Sequence, residues 1–179
     1  MRIYVGSLVE GIISDYYFET IERLSKEGLI DMKVKIRTPH ITLKAPFETK
    51  EVDKLEEIIL DSFPENPRMY LTIGRFGNFV ESEKPVLFID VEASYEFLRH
   101  YKKFLDSLSR ANFPFSEYDR VDKNFHITLA KGNEIPDIDK ALSYLQKNQN
   151  RLFNTSLANI TIFKKGRSET KVIRNYDTI

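Results

Sequence analysis

Apolar and polar positions along the chain follow two periods, and the changes of period mark out the elements. Arg2 to Leu8 (RIYVGSL) alternates as a strand does. Tyr16 to Leu29 then places Phe18, Ile21, Leu24 and Leu29 at helical spacing, with Gly28 close to the helix end. Lys33, Lys35 and Arg37 alternate with Val34 and Ile36, the pattern of a strand with one basic face, for which a solvated face is the default reading. Thr38 and Pro39 break that run, and a short β-branched, apolar segment begins at His40. Val52 to Phe63 is helical again, with Leu55, Ile58, Ile59 and Leu60 apolar, acids early, and Pro64 and Pro67 closing it. Met69 to Val80 and Val86 to Val91 are β runs on either side of Glu81-Ser82-Glu83-Lys84-Pro85, a turn composition that implies an antiparallel hairpin.

Ser94 to Asn112 forms a third helical pattern, its wide stripe made by Phe97, Leu98, Tyr101, Phe104, Leu105 and Leu108. His100 lies at the margin of that stripe and is given no role. Pro114 to Asn124 is a polar, charged loop leading into Phe125-His126, and Ile138 to Gln149 is a fourth helix. Asn159 to Phe163 and Lys171 to Tyr176 make a hairpin around Lys165-Gly166-Arg167. Lys164, Lys165, Arg167, Lys171 and Arg174 render it locally basic; a solvated hairpin is the default and a guide for a nucleotide tail the alternative. The order β α β β α β β α β α β β has no regular βαβ rhythm and contains hairpins, so the fold class is α+β with antiparallel sheet.

Composition narrows the chemistry. At 179 residues, 41% of them apolar, the chain suits a single domain or two small lobes sharing a core. With 27 residues of each sign there is no global field to hold a long duplex nucleic acid, so any anion site must be local. Cysteine is absent, which removes thiolate nucleophiles, disulfides and cysteine-based metal sites. Met1 to Ile13 carries Arg2 and Glu10, has no basic leader and is far short of a membrane span, so a cytoplasmic protein, a monomer without membrane contact, is expected.

Two of the three histidines occur in identical tetrapeptides, His40-Ile41-Thr42-Leu43 and His126-Ile127-Thr128-Leu129, 126 − 40 = 86 residues apart in a chain of 179. Each copy reads as a short strand, with Pro46 or Gly132 soon after. Residues i and i+2 of a strand share a face about 6.6 Å apart, so His40 sides with Thr42 and His126 with Thr128 while the isoleucines and leucines turn to a core. Two such strands facing one another supply two imidazoles and two hydroxyls. That set suits cleavage of a phosphodiester: one imidazole takes a proton from the attacking oxygen, the other gives one to the leaving oxygen, and the threonines hold the non-bridging oxygens. No metal and no cofactor are needed for these transfers. Lys44 continues the histidine face if the strand persists, and Lys131 follows the second motif, so both are candidate substrate contacts. In Phe76-Gly77-Asn78-Phe79 a glycine between aromatics can mark a bulge or a ligand's close approach. Phe76 is therefore carried as a base-stacking candidate against the default that both phenylalanines pack in the core.

The pair of His-x-Thr-x strands resembles the two-histidine (2H) phosphoesterase superfamily, the group that includes 2'-5' RNA ligase-like proteins and cyclic nucleotide phosphodiesterases. Thr38-Pro39-His40-Ile41-Thr42-Leu43-Lys44-Ala45-Pro46-Phe47-Glu48 looks especially like a bacterial branch of phosphoesterases. The resemblance spans nearly the whole chain in length, motif spacing and element order. It implies two lobes related by a pseudo-twofold axis, each an antiparallel sheet with outer helices, and a central groove holding both motifs. It also implies metal-independent attack on 2',3'-cyclic phosphates or 2'-5'-linked ends, with a nucleotide or RNA terminus as partner. His40, Thr42, His126 and Thr128 are the residues it carries over; members near the RNA ligase branch often have an arginine where this chain has Lys131, which offers a point charge in place of a bidentate fork. Three other readings stand beside the enzyme: a module that binds a nucleotide or RNA end without turnover, histidines serving as metal ligands, and histidines that are merely structural. The second lacks a nearby Asp, Glu or Cys in ligand spacing.

Overall fold

The computed structural model describes residues 1–31, 37–64, 69–81, 83–148, 151–166 and 170–178. The basic strand expected over Lys33 to Arg37 lies outside them except for Arg37, as do Pro67, Ser82, Gln149 and Arg167. The described elements are β1 (Arg2–Leu8), α1 (Gly11–Lys26), β2 (His40–Glu48), α2 (Val52–Ser62), β3 (Tyr70–Glu81), β4 (Lys84–Ala93), α3 (Tyr95–Arg110), β5 (Phe125–Lys131), a 3-10 turn (Gly132–Glu134), α4 (Ile138–Asn148), β6 (Phe153–Ser156), β7 (Asn159–Lys165) and β8 (Thr170–Asp177).

Two four-stranded antiparallel sheets result, ordered β2-β1-β7-β8 and β5-β4-β3-β6. The third strand is exchanged between halves: β3 leaves the first half to pair with β4, and β7 leaves the second to pair with β1. Among the described strands the two that carry the motifs, β2 and β5, are edges, and they pack against each other. An edge position is what lets Pro46 sit inside β2, which runs on to Glu48, because a proline without an N–H is tolerated where no ladder partner is missing on that side.

The expected pseudo-twofold relation is visible in the strand register. In the first lobe Gly6 pairs with Thr42 and Val5 with Lys44, skipping Leu43; in the second Phe88 pairs with Thr128 and Leu87 with Ala130, skipping Leu129. Both motifs therefore carry a β-bulge at the leucine that ends the tetrapeptide. Ile3, Val5, Ile41, Ile127, Ile89 and Ile162 belong to one apolar core that runs under both sheets and continues into the stripes of the helices. Helix α3 begins where Ser94 accepts the N–H of Phe97, and its buried stripe of Phe97, Tyr101, Phe104, Leu105 and Leu108 matches the sequence pattern. Helix α1 starts earlier than the periodicity suggests and stops at Lys26, where the Leu29 N–H reaches back to the Leu24 carbonyl and Gly28 takes a positive φ of 66°. Strand β6, only four residues long, carries no legible alternation.

Candidate active site

The imidazoles of His40 and His126 are fixed in the same way. Nδ1 of His40 bonds the Thr38 carbonyl at 2.8 Å, and Nδ1 of His126 bonds the Asn124 carbonyl at 3.0 Å. A carbonyl oxygen only accepts, so Nδ1 carries the proton in each ring, and Nε2 is left as the basic nitrogen of the neutral form. Each ring is half-buried against aromatic neighbours: His40 lies 5.3 Å from Tyr4 and 5.4 Å from Phe163, His126 lies 5.0 Å from Phe79 and 5.2 Å from Phe88. Tyr4 pairs with Phe163 across β1 and β7 as Val86 pairs with Phe79 across β4 and β3, so Phe163 and Phe79 hold equivalent places.

Two glycines make room for these collars. A Cβ on Gly6 would stand 2.6 Å from the Ile41 carbonyl oxygen, and one on Gly77 would stand 2.5 Å from the Phe88 ring. Thr42 and Thr128 are half-buried on the same faces as their histidines. Glu134 ties the outer ends of the two motifs together: one carboxylate oxygen accepts the Lys131 N–H at 2.7 Å and the other meets Arg37 at 2.6 Å.

Electrostatics differ between the halves. Burial pushes the His40 pKa below the ordinary value, its bond to Thr38 opposes that, and the charges of His126 and Arg37 push further down. His126 is likewise lowered by burial, with its bond to Asn124 opposing; Lys123 adds to the lowering, while Glu81 and Asp90 favour the charged ring. Asp90 stands opposite His126 in the β4–β5 register, and burial raises its own pKa. The first lobe has Leu8 in the equivalent place, opposite His40.

The structure corrects two of the flanking candidates. Lys44 does not continue the histidine face. The bulge at Leu43 turns it to the core side, where it is 1% exposed and 2.7 Å from Asp119, with Phe47 and Phe115 against its ammonium. Phe76 pairs with Ile89 on the core face and packs on Tyr16, so it faces away from both histidines; Phe79 is the ring of that segment beside His126. Lys131 does return to the groove side, because the bulge at Leu129 sends Ala130 inward first, and its ammonium contacts Glu81.

Reasoning from sequence missed Tyr4, Phe79, Phe88 and Phe163 as neighbours of the imidazoles; Tyr4, Phe88 and Phe163 are buried as their apolar character suggests, but they pack against the histidine rings and not within the main core cluster. It also missed Asp90, a lone acid inside the apolar run Val86 to Val91, which was a usable signal. The loop before β5 holds a further set. The Leu43 carbonyl accepts from Tyr101 Oη at 2.9 Å and from Lys123 Nζ at 2.6 Å, so this loop and α3 grip the first motif strand at its bulge. Among the described residues no group of three or more His, Asp or Glu side chains is gathered as a metal site requires.

The arrangement presents two Nε2 atoms of fixed tautomer and two hydroxyls on edge strands that pack against each other, with aromatic rings beside each imidazole. Comparison with known proteins bears on what it serves. The model of the 2'-5' RNA ligase superfamily matches residues 16–168. A search of curated proteins finds no match. Among solved structures, TT0787 of Thermus thermophilus aligns with a TM-score of 0.69 at 12% identity, over 99% of this chain and 98% of that one. E. coli LigT complexed with 3'-AMP aligns with a TM-score of 0.62 at 10% identity, and LigT complexed with ATP with 0.61 at 12%, each over 98% of this chain and 96% of that one. At these identities the structural likeness is one of fold.

Proposed function

The chain belongs to the 2'-5' RNA ligase superfamily, and from that premise we propose that it is a metal-independent phosphodiesterase acting on 2',3'-cyclic phosphates or 2'-5'-linked nucleotide and RNA ends, with ligation across a 2'-5' bond as the reverse reaction. The observation that supports this most directly is the matched pair of imidazoles, each with Nδ1 committed to a backbone carbonyl. A base and an acid of the same chemical type, on equivalent strands, serve a reaction whose forward and reverse directions exchange their roles.

In hydrolysis, neutral His40 takes a proton from water at Nε2 as the water oxygen bonds to phosphorus. The bond from phosphorus to one ribose oxygen breaks, and His126, protonated, gives its Nε2 proton to that oxygen. The products are a phosphomonoester and a free ribose hydroxyl, with the proton passed from one imidazole to the other. His126 is assigned the acid because two carboxylates, Glu81 and Asp90, favour its charged form against Lys123, whereas the charges acting on His40, those of His126 and Arg37, both disfavour its charged form. Thr42 and Thr128 donate to the non-bridging oxygens as charge develops on them. Nucleotides are held by LigT, in its complexes with 3'-AMP and ATP, and the proposal extends that ligand class to this chain.

The test is a panel of nucleoside 2',3'-cyclic phosphates and 2'-5'-linked dinucleotides assayed with wild type, His40→Ala and His126→Ala, with and without EDTA. Each proton transfer contributes roughly 10²- to 10⁴-fold, so either substitution should lower kcat by at least about 100-fold, and EDTA should change nothing. Substrates bound but returned intact would identify a binding module, and turnover lost to EDTA would remove the metal-independent mechanism.

A further inference from the structure

The strands that wall the histidines continue outward on the same face. Tyr4 and Phe163, stacked with centroids 4.6 Å apart, stand opposite one another across β1 and β7, and continuing that register one pair past Ile3 and Lys164 brings Arg2 level with Lys165, roughly 7 Å further along the strands, where the Arg2 charge acts on Lys165. Like charges directly opposite each other in a sheet are destabilising, so this pair works against the fold at the mouth of the groove. The second lobe brings cations to the same mouth. Lys131 lies on the face of His126 and Thr128, and Lys84 lies on the face of Val86 and Phe88, opposite Glu81. Burial lowers the Lys165 pKa, and Arg2 and Lys131 lower it further against Glu81, so the two lobes meet here electrostatically.

Three acids face this cluster among the described residues: Glu48, opposite Arg2 across β1 and β2 and 3.7 Å from the Met1 ammonium; Glu134, which accepts the Lys131 N–H and pairs with Arg37; and Glu81, in contact with Lys131. Glu48 and Glu134 each have a cation outside the cluster, the Met1 ammonium and Arg37, so Glu81 is the carboxylate that the four side-chain cations share, and the cluster keeps a positive excess in a chain whose formal net charge is zero. A positive excess at the mouth suits a terminal phosphate, which carries between one and two negative charges near neutral pH. A cyclic phosphate already uses the 2' and 3' oxygens of its ribose, so the next phosphate of the same nucleoside must hang from the 5' oxygen.

We propose that Arg2, Lys84, Lys131 and Lys165 form a subsite for a second phosphate, the one joined to the 5' oxygen of the nucleoside whose cyclic phosphate lies between His40 and His126. The inference rests on the phosphodiesterase reading above and sharpens it: the preferred substrate carries at least two phosphates. A bare nucleoside cyclic phosphate leaves the subsite empty.

The experiment compares kcat/KM for adenosine 2',3'-cyclic phosphate with and without a 5'-phosphate, in wild type and in an Arg2→Gln, Lys165→Gln double variant. Both side chains are exposed, so folding is not at stake. The 5'-phosphate should raise wild-type kcat/KM by about tenfold or more, mainly through KM and less so at high salt. The double variant should bring that ratio to within about twofold of one, and Arg2→Lys with Lys165→Arg should preserve it. A wild-type ratio near one, or a ratio that survives the glutamine substitutions, overturns the subsite while leaving the phosphodiesterase reading intact. If neither compound is hydrolysed, the cyclic-phosphate part of that reading fails instead. Calorimetry with adenosine 2'-phosphate and adenosine 2',5'-bisphosphate then reads the same preference without turnover, and equal affinities overturn the subsite there too.

Discussion

An imidazole whose Nδ1 proton is committed to a carbonyl exchanges protons only through Nε2, so the bonds of His40 to Thr38 and His126 to Asn124 set both the direction and the chemistry of transfer. Both rings have pKa values below the ordinary 6.5, and the charge of one disfavours the charge of the other, so their two protonation steps are spread apart. The productive form has one proton between them and is fullest between those steps. The kcat/KM profile should therefore be bell-shaped with its maximum on the acid side of pH 6.5, whereas the basic limb of kcat should lie higher, because a bound phosphoryl anion favours the imidazolium. Asp90 gives this profile a specific test. Its carboxylate favours charged His126, so Asp90→Asn should draw the basic limb of kcat/KM to lower pH and reduce activity at pH 7 by a few-fold at most. A profile moved at the acid limb alone would reverse the assignment of acid and base, and an unmoved one would leave Glu81 as the carboxylate that favours charged His126. These four motif side chains were legible in the sequence because a repeated polar pair inside an apolar strand has few structural uses. The aromatic collars were not, since a phenylalanine that walls a groove and one that fills a core look alike in a pattern of hydrophobicity.

At the scale of elements, two bulges decide which side chains reach the groove. Strict alternation past Leu43 sends Lys44 to the histidine face, but one unpaired residue in β2 reverses every position beyond it, and a bulge leaves no mark in the alternation of four residues. The same displacement past Leu129 is what restores Lys131 to that face. Strand type and hairpin order were readable from period and turn composition. Strand β6 was too short to show a period, and the side taken by Phe76 was not readable because the irregularity between Ile73 and Phe76 resets the face within β3. The close approaches at Gly6 and Gly77 give the elements their own prediction. A Cβ at Gly6 meets the backbone oxygen of Ile41, which cannot move without breaking the β1–β2 ladder, while one at Gly77 meets the far edge of the Phe88 ring, which can tilt. Both Gly6→Ala and Gly77→Ala should destabilise by roughly 1–3 kcal/mol, with Gly6→Ala the larger. Urea unfolding measures this, and the reverse order would mean that the collar around His126 is more rigid than the ladder beside His40. Gly77→Ala should in addition lower kcat/KM, because Phe88 is displaced from the ring it supports.

The whole molecule depends on how the second lobe grips the first. The loop between α3 and β5 carries Asp119, whose carboxylate takes Lys44 at 2.7 Å, the Ala45 N–H at 2.8 Å and the Ser116 N–H at 2.8 Å, and Lys123, whose ammonium reaches the Leu43 carbonyl. The bulge therefore turns Lys44 from a groove residue into an anchor on the far side of its strand, so the departure from simple alternation serves lobe assembly. Lys123 lies 4.9 Å from the Tyr101 ring centre and 5.0 Å from that of Phe125, and burial pushes its pKa down to about 7, with Asp119 opposing and Lys44 adding to the fall. An unfolded lysine titrates near 10.4. Between pH 7 and about 9 the unfolded chain thus holds a proton that the folded chain has partly released, and stability must rise with pH in that window, by at most about 1.4 kcal/mol per pH unit. Above it the tyrosines intervene: burial raises Tyr4, Tyr17 and Tyr101, so the unfolded chain loses those protons first and stability falls again. Urea midpoints measured at pH 7, 8 and 9 should climb for the wild type and stay level for Lys123→Met, which keeps the length of the side chain and removes the titration. A level wild-type series, or a climb that persists in Lys123→Met, would mean that the ammonium is solvated and that the grip on the first motif strand comes from Tyr101 and the Lys44–Asp119 pair alone.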